Sequence, residues 1–204
     1  MPEPGCANPC RLNNRSSCVP FLNRSLWKSV TAAVFVTALV AAVPSGRAAT
    51  VTSANDAPSS LEAGANANHA VVFTTGTGAI EGSTIRLEFA PDFDLSDIVE
   101  DDADMSVNGI ARTTAANCAG AEQVSVAIAG NVVTFTICAG DGGAIAAGSE
   151  VAIDIGTQAA DSGIGTNQIV NPENPGTYFV SIAGTFGDSG SIALPITSDG
   201  AVAV

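Results

Sequence analysis

The chain has 204 residues with a formal net charge of −13, a balance that excludes nucleic acid and anionic lipid head groups as partners because both would be repelled. The charge is uneven: from Ala49 onward only Arg86 and Arg112 stand against 19 acidic residues, so that part carries about −17. Its 156 residues suffice for one hydrophobic core and not for two.

In chain order, the first 23 residues carry Cys6, Cys10 and Cys18 in a Pro/Asn/Arg-rich context without hydrophobic periodicity. They read as a dispensable leader, since a zinc site would want a fourth ligand and a folded frame. Arg24 and Lys28 then precede the apolar run Val30 to Val43, whose 14 residues are too few to span a bilayer. Small residues follow, and cleavage after Ala48 places Gly46 and Ala48 where a signal peptidase needs them. The expected division is a leader and signal-peptide helix over 1–48 and one domain over 49–204, secreted or held at the cell surface. No cysteine stands at the expected new N-terminus to take a lipid, no wall-sorting signal closes the chain and no later stretch is long enough to cross a bilayer, so no membrane insertion of the mature chain is expected.

Beyond Thr50 apolar residues alternate in short runs bounded by Gly, Asn, Asp and Pro, the pattern of strands with one buried face. Eight strands are predicted: Asn68 to Thr75, Ser83 to Phe89, Met105 to Asn108, Gln123 to Ala129, Asn131 to Cys138, Glu150 to Ile155, Thr177 to Ala183 and Ser191 to Thr197. In the second, Ile85, Leu87 and Phe89 point one way and Arg86 and Glu88 the other. Strands of this kind bury their apolar rows most simply as two packed sheets, so the fold class is all-β, an antiparallel β-sandwich of about eight strands. The acidic segment Asp92 to Asp104 is too polar for a core strand and is expected to arch from one sheet to the other. Ala129-Gly130-Asn131 reads as a tight hairpin turn. Asn171-Pro-Glu-Asn-Pro-Gly176 reads as a rigid turn, and Pro195 marks an edge strand because it has no N–H for a ladder. Cys118 and Cys138 flank the hairpin at Gly130, so antiparallel pairing brings them to one end, where an exported location permits a disulfide. Closing a loop of about 20 residues would stabilise the fold by about 3 kcal/mol.

The strings Ala67-Asn-His-Ala-Val-Val-Phe-Thr-Thr75, Glu81-Gly-Ser-Thr-Ile-Arg-Leu-Glu-Phe89, Phe93-Asp-Leu-Ser-Asp-Ile98, Asn171-Pro-Glu-Asn-Pro-Gly-Thr-Tyr178 and Gly187-Asp-Ser-Gly-Ser191 together resemble the Ig-like surface modules of exported proteins from small-genome candidate-phylum bacteria. The resemblance runs from about Thr50 to Thr197. It implies an Ig-like β-sandwich at a cell surface and no particular activity.

Residues able to carry chemistry are few. Gly187-Asp-Ser-Gly-Ser191 is similar to the nucleophile segment of trypsin-like proteases, and His69, aspartates and Ser189 follow in the right order. That chemistry, however, needs an imidazole buried against a carboxylate and an oxyanion hole, and such enzymes are built from two barrels rather than one small sandwich. His69 is expected instead at a strand end, bonded to backbone. Asp92, Asp94, Asp97, Glu100, Asp101, Asp102 and Asp104 form a dense set of hard oxygen ligands, yet the sixth position of an EF-hand count is Asp97 and the twelfth Ala103, so that motif is not met. A structural calcium and a solvated acidic loop both remain open. One histidine and two bridged cysteines are too few for zinc or iron, and no Gly-rich cradle opens a helix for a nucleotide. No catalytic, cofactor-binding or metal residues are assigned, no cofactor is expected, and the chain is read as non-enzymatic. The expected role is a non-catalytic structural or spacer module. The alternative is an adhesion module binding a cell-surface protein or glycan through loops at one sandwich end. A third expectation is self-association through edge strands, at the Pro195 strand or the first strand.

Overall fold

The computed structural model describes residues 49–198 except 162. The leader and signal peptide assigned to residues 1–48 lie outside the described residues. Alternating sequence becomes pleated chain throughout: β1 (Ala49–Thr50), β2 (Thr52–Asp56), β3 (Asn66–Ala67), β4 (His69–Thr74), β5 (Thr84–Phe89), β6 (Ala103–Val107), β7 (Ile110–Ala111), β8 (Thr114–Ala115), β9 (Val124–Ala129), β10 (Val132–Ile137), β11 (Glu150–Ile155), β12 (Ile169–Val170), β13 (Gly176–Ala183) and β14 (Asp188–Ile196). The only helical turn among the described residues is a 3-10 turn at Glu100–Asp102. All eight expected strands are present; Glu150 to Ile155 matches at both ends, and no end of the others is displaced by more than three residues.

These strands form a seven-stranded sheet in the order β1-β14-β13-β5-β10-β9-β8, a five-stranded sheet in the order β2-β4-β11-β6-β7 and a small β12-β3 pair. The sandwich is mostly antiparallel, but β1 runs parallel to β14 and β8 parallel to β9. Ile85, Leu87 and Phe89 of β5, Val133, Phe135 and Ile137 of β10, and Val151, Ile153 and Ile155 of β11 are fully buried and join one core. Each such side chain removed from water contributes about 1.5–3 kcal/mol.

The chain changes sheets where its pattern fades. After β1 pairs with β14, Ser53 takes φ 53° and the register slips between Thr52 and Asn55, after which β2 pairs with β4. The first expected strand, now β4, is therefore internal, covered by β2 on one side and β11 on the other. Its use as an association edge is corrected accordingly. Pro195 does lie on an open stretch, because β1 accompanies β14 only at Asp188 and Ser189. At the expected turn, Ala129 pairs with Val132 and Gly130 takes φ 58°.

Candidate functional site

The acidic arch links β5 of one sheet to β6 of the other, as its position implies. Its composition misleads about its surroundings, however. Phe93, Leu95 and Ile98 turn inward and close one end of the core, and Asp102 and Asp104 are buried with them. Asp104 belongs to β6, which starts two residues earlier than its apolar pattern does. The carboxylate of Asp102 accepts hydrogen bonds from the N–H groups of Thr166 at 2.6 Å, Asn167 at 2.9 Å and Val99 at 2.9 Å, and from the Asn167 side-chain amide at 2.9 Å. Burial pushes its pKa up, but these donors outweigh burial and hold it below the ordinary aspartate value. Asp104 accepts from the Asp161 N–H at 2.6 Å. Asp94 is turned back on its own chain, accepting from the Ser96 N–H, which lowers its pKa. Among the described residues no three His, Cys, Asp or Glu side chains are grouped to hold a metal ion.

His69 is not bonded through its ring to backbone, as its strand-end position suggested. Its side chain is buried, with Nδ1 2.8 Å from Oδ2 of Asp56, whose side chain is buried too. The ring meets Phe89 and Phe93 edge-on at centroid distances of 5.2 and 5.9 Å. Among the described residues Nε2 of His69 and Oδ1 of Asp56 have no hydrogen-bond partner. The pair thus fastens β2 to β4. Ser189 is far away: its neighbour Asp188 bonds Thr75 at the other end of β4, six residues from His69, or about 20 Å along a strand. The Gly187-Asp-Ser-Gly-Ser191 segment therefore assembles no triad. Asp188 is itself caged by the Thr75 hydroxyl at 2.6 Å, the Gly76 N–H at 2.7 Å, and the Thr77 N–H and hydroxyl at 3.1 and 2.7 Å. Burial raises its pKa, but those donors more than offset it and the net shift is downward.

Cys118 and Cys138 form a disulfide with Cα atoms 5.4 Å apart. It ties the loop before β9 to the end of β10, the placement that the hairpin at Gly130 requires. At the opposite end of that hairpin an open cleft of about 570 Å³ lies between the arch, through Pro91, Asp94, Ser96 and Ile98, and the turn Gly130–Asn131 beside Ile128. The Asn131 side-chain amide donates to the Phe89 carbonyl and so holds this turn against β5.

The His69–Asp56 pair and the caged Asp102 and Asp188 escaped the sequence reading, since partners 13 to 113 residues apart leave no periodic trace. A usable signal did exist for one missed element. Asn108-Gly109 is the dipeptide of a two-residue hairpin, and both residues have positive φ between β6 and β7.

No protein-family model and no curated protein sequence matches the chain. Among solved structures it is similar to BslA, a bacterial hydrophobin, at 13% identity and a TM-score of 0.37, covering 69% of this chain and 93% of that one. It is also similar to the pilus backbone RrgB from Streptococcus pneumoniae, at 10% identity and a TM-score of 0.33, covering 60% and 25%. The major pilin subunit BcpA of Bacillus cereus follows at 13% identity and 0.32, covering 66% and 34%. The chain spans about a quarter to a third of the two pilins' length. Scores and identities this low carry no argument about its role.

Proposed function

We propose that residues 49–204 form a non-catalytic, Ig-like structural module that is exported and built into a cell-surface or extracellular assembly. One observation carries this reading: the buried carboxylates of Asp102 and Asp188 are spent as fasteners, both oxygens of each holding a loop or strand to its neighbour. Such groups are committed to N–H and hydroxyl donors of the fold and are not placed to exchange a proton with a substrate. The disulfide supports an oxidising compartment, and none of the helices among the described residues is long and apolar enough to cross a membrane.

The test is to fractionate the source cells and sequence the mature N-terminus by mass spectrometry, with free thiols alkylated before reduction. The expected result is a form beginning at Ala49, with Cys118 and Cys138 protected, in the envelope or medium. A cytosolic form with both thiols alkylated would overturn the reading. A second reading, adhesion to a protein or glycan, draws on the cleft between the arch and the Gly130–Asn131 turn, which lies at one end of the sandwich where loops are free to vary. Binding to a glycan array that Asn131→Ala removes would favour it.

A further inference from the structure

The charge of this molecule is distributed by face. The strands of the five-stranded sheet carry no lysine or arginine; of their acids Asp56 and Asp104 are buried, and Glu150 and Asp154 stand on its outer side. The five long strands of the other sheet, β14, β13, β5, β10 and β9, carry only two acidic residues, and one of them, Asp188, is caged in the interior. What remains on that outer face is one cation and one anion, Arg86 and Glu88, both exposed and two residues apart on β5. Since β5 is the middle strand of seven, the two charges sit at the centre of the sheet. Their strand neighbours are small or uncharged: Ala183 and Thr134 beside Arg86, Ser181 and Val132 beside Glu88. Phe179, 54% exposed, stands on the same side of β13.

A chain of net charge −13 repels its own copies on most approaches. A flat, locally neutral face is where that repulsion is least. The order of charges also makes the face complementary to itself. Residues i and i+2 of a strand are about 6.7 Å apart on one side of the sheet. A two-fold axis crossing β5 at Leu87, between two facing sheets, sets Arg86 of each copy opposite Glu88 of the other, as an isologous contact requires. We propose that the outer face of the seven-stranded sheet is a self-association surface, whose occupant is a second copy of this chain packed face to face about that axis. This pairing uses the sheet face, not the strand edges, and holds whether or not the protein is exported. Five strands of about five residues cover roughly 25 by 17 Å, about 400 Å² of flat area per copy. That is small beside stable interfaces, so the pairing is weak in dilute solution and gains force where copies are concentrated.

Sedimentation velocity of the purified protein from about 10 µM to about 1 mM, near physiological salt, reads the equilibrium directly. The expected result is a dimer fraction that rises across this range. Arg86→Glu should raise the dissociation constant about tenfold or more. Glu88→Arg should weaken pairing too, even though it lowers the net negative charge, because it sets cation against cation. The swapped double variant R86E/E88R restores the +/− order at unchanged net charge and should return to within about threefold of the parent. Ala127→Asp places an acid on the same face without touching the pair and should abolish pairing. It also stands in if an Arg86 variant does not fold, with melting curves reporting the fold of each. A monomer at every concentration, a dimer indifferent to both Arg86→Glu and Ala127→Asp, or a double variant no better than its singles would overturn the proposal.

Discussion

Replacing Asp188 by asparagine would keep its size and turn an amide N–H₂ toward the Gly76 and Thr77 N–H groups and two hydroxyls that it now accepts from. Hydrogen bonds to a charged acceptor are worth about 1.5–3 kcal/mol each when broken one-sidedly, so a loss of about 3 kcal/mol is expected, read from the urea midpoint. The sign of the pH effect follows from the same contacts. The folded pKa values of Asp188 and Asp102 lie below 3.8, so their stabilisation is complete above that value and fades as the pH falls through the lower folded values. Asp188→Asn should therefore flatten the acid side of the stability profile. Asp154 works in the opposite direction: burial, then the charges of Asp104 and Asp161, raise its pKa. Its ionised form is disfavoured in the fold, so Asp154→Asn should raise the melting temperature at neutral pH and have no effect below about pH 3.8, where the native carboxyl is protonated in both states. For the His69–Asp56 pair, Asp56→Ala alone should cost about 3 kcal/mol by leaving a buried imidazole without its partner. Asp56→Ala combined with His69→Leu should cost less than the two single changes added together.

At the scale of elements, the disulfide and the eight main strands were legible because each rests on local information: alternation with period two, turn residues, and two cysteines placed symmetrically about a hairpin. What stayed hidden lacks local information. β2 reads Thr-Ser-Ala-Asn-Asp, with a single buried residue, because it crosses between sheets and has no continuous apolar face. β3, β7, β8 and β12 are two-residue pairings that carry too few positions to show a period. The arch read as too polar for the core, yet Phe93, Leu95 and Ile98 seal it and Asp102 is buried among distant N–H donors. One further position shows how closely the elements fit. Gly184 ends β13 at φ 146°, where a Cβ would come 2.1 Å from the Thr84 carbonyl oxygen, an acceptor already used by Phe186. Gly184→Ala must therefore either part β13 from β5 or distort the turn into β14. A loss of more than about 2 kcal/mol is expected, again measured by denaturant.

For the whole molecule the dominant force beyond the core is self-repulsion. A domain of this length has a radius of gyration of about 15 Å, whereas the Debye length falls from about 30 Å at 0.01 M salt to about 3 Å at 1 M. In dilute buffer nearly every acidic residue therefore acts on every other, and in strong salt almost none does. From Ala49 onward only two arginines oppose the 19 acids, so screening removes much more repulsion than attraction. The melting temperature should climb by roughly 5 °C between 10 mM and 0.5 M sodium chloride, about the effect of 1–2 kcal/mol in a domain this size. Calcium separates this general effect from a specific site. An ion bound only by the folded form would add a stabilisation that grows with the logarithm of its concentration. Since Asp102 accepts from protein N–H groups and Asp94 from Ser96, millimolar calcium should match a chelator-treated sample at equal ionic strength. A calcium-specific rise would mean that the remaining carboxylates of the arch, Asp92, Asp97, Glu100 and Asp101, close around an ion at the expense of those contacts.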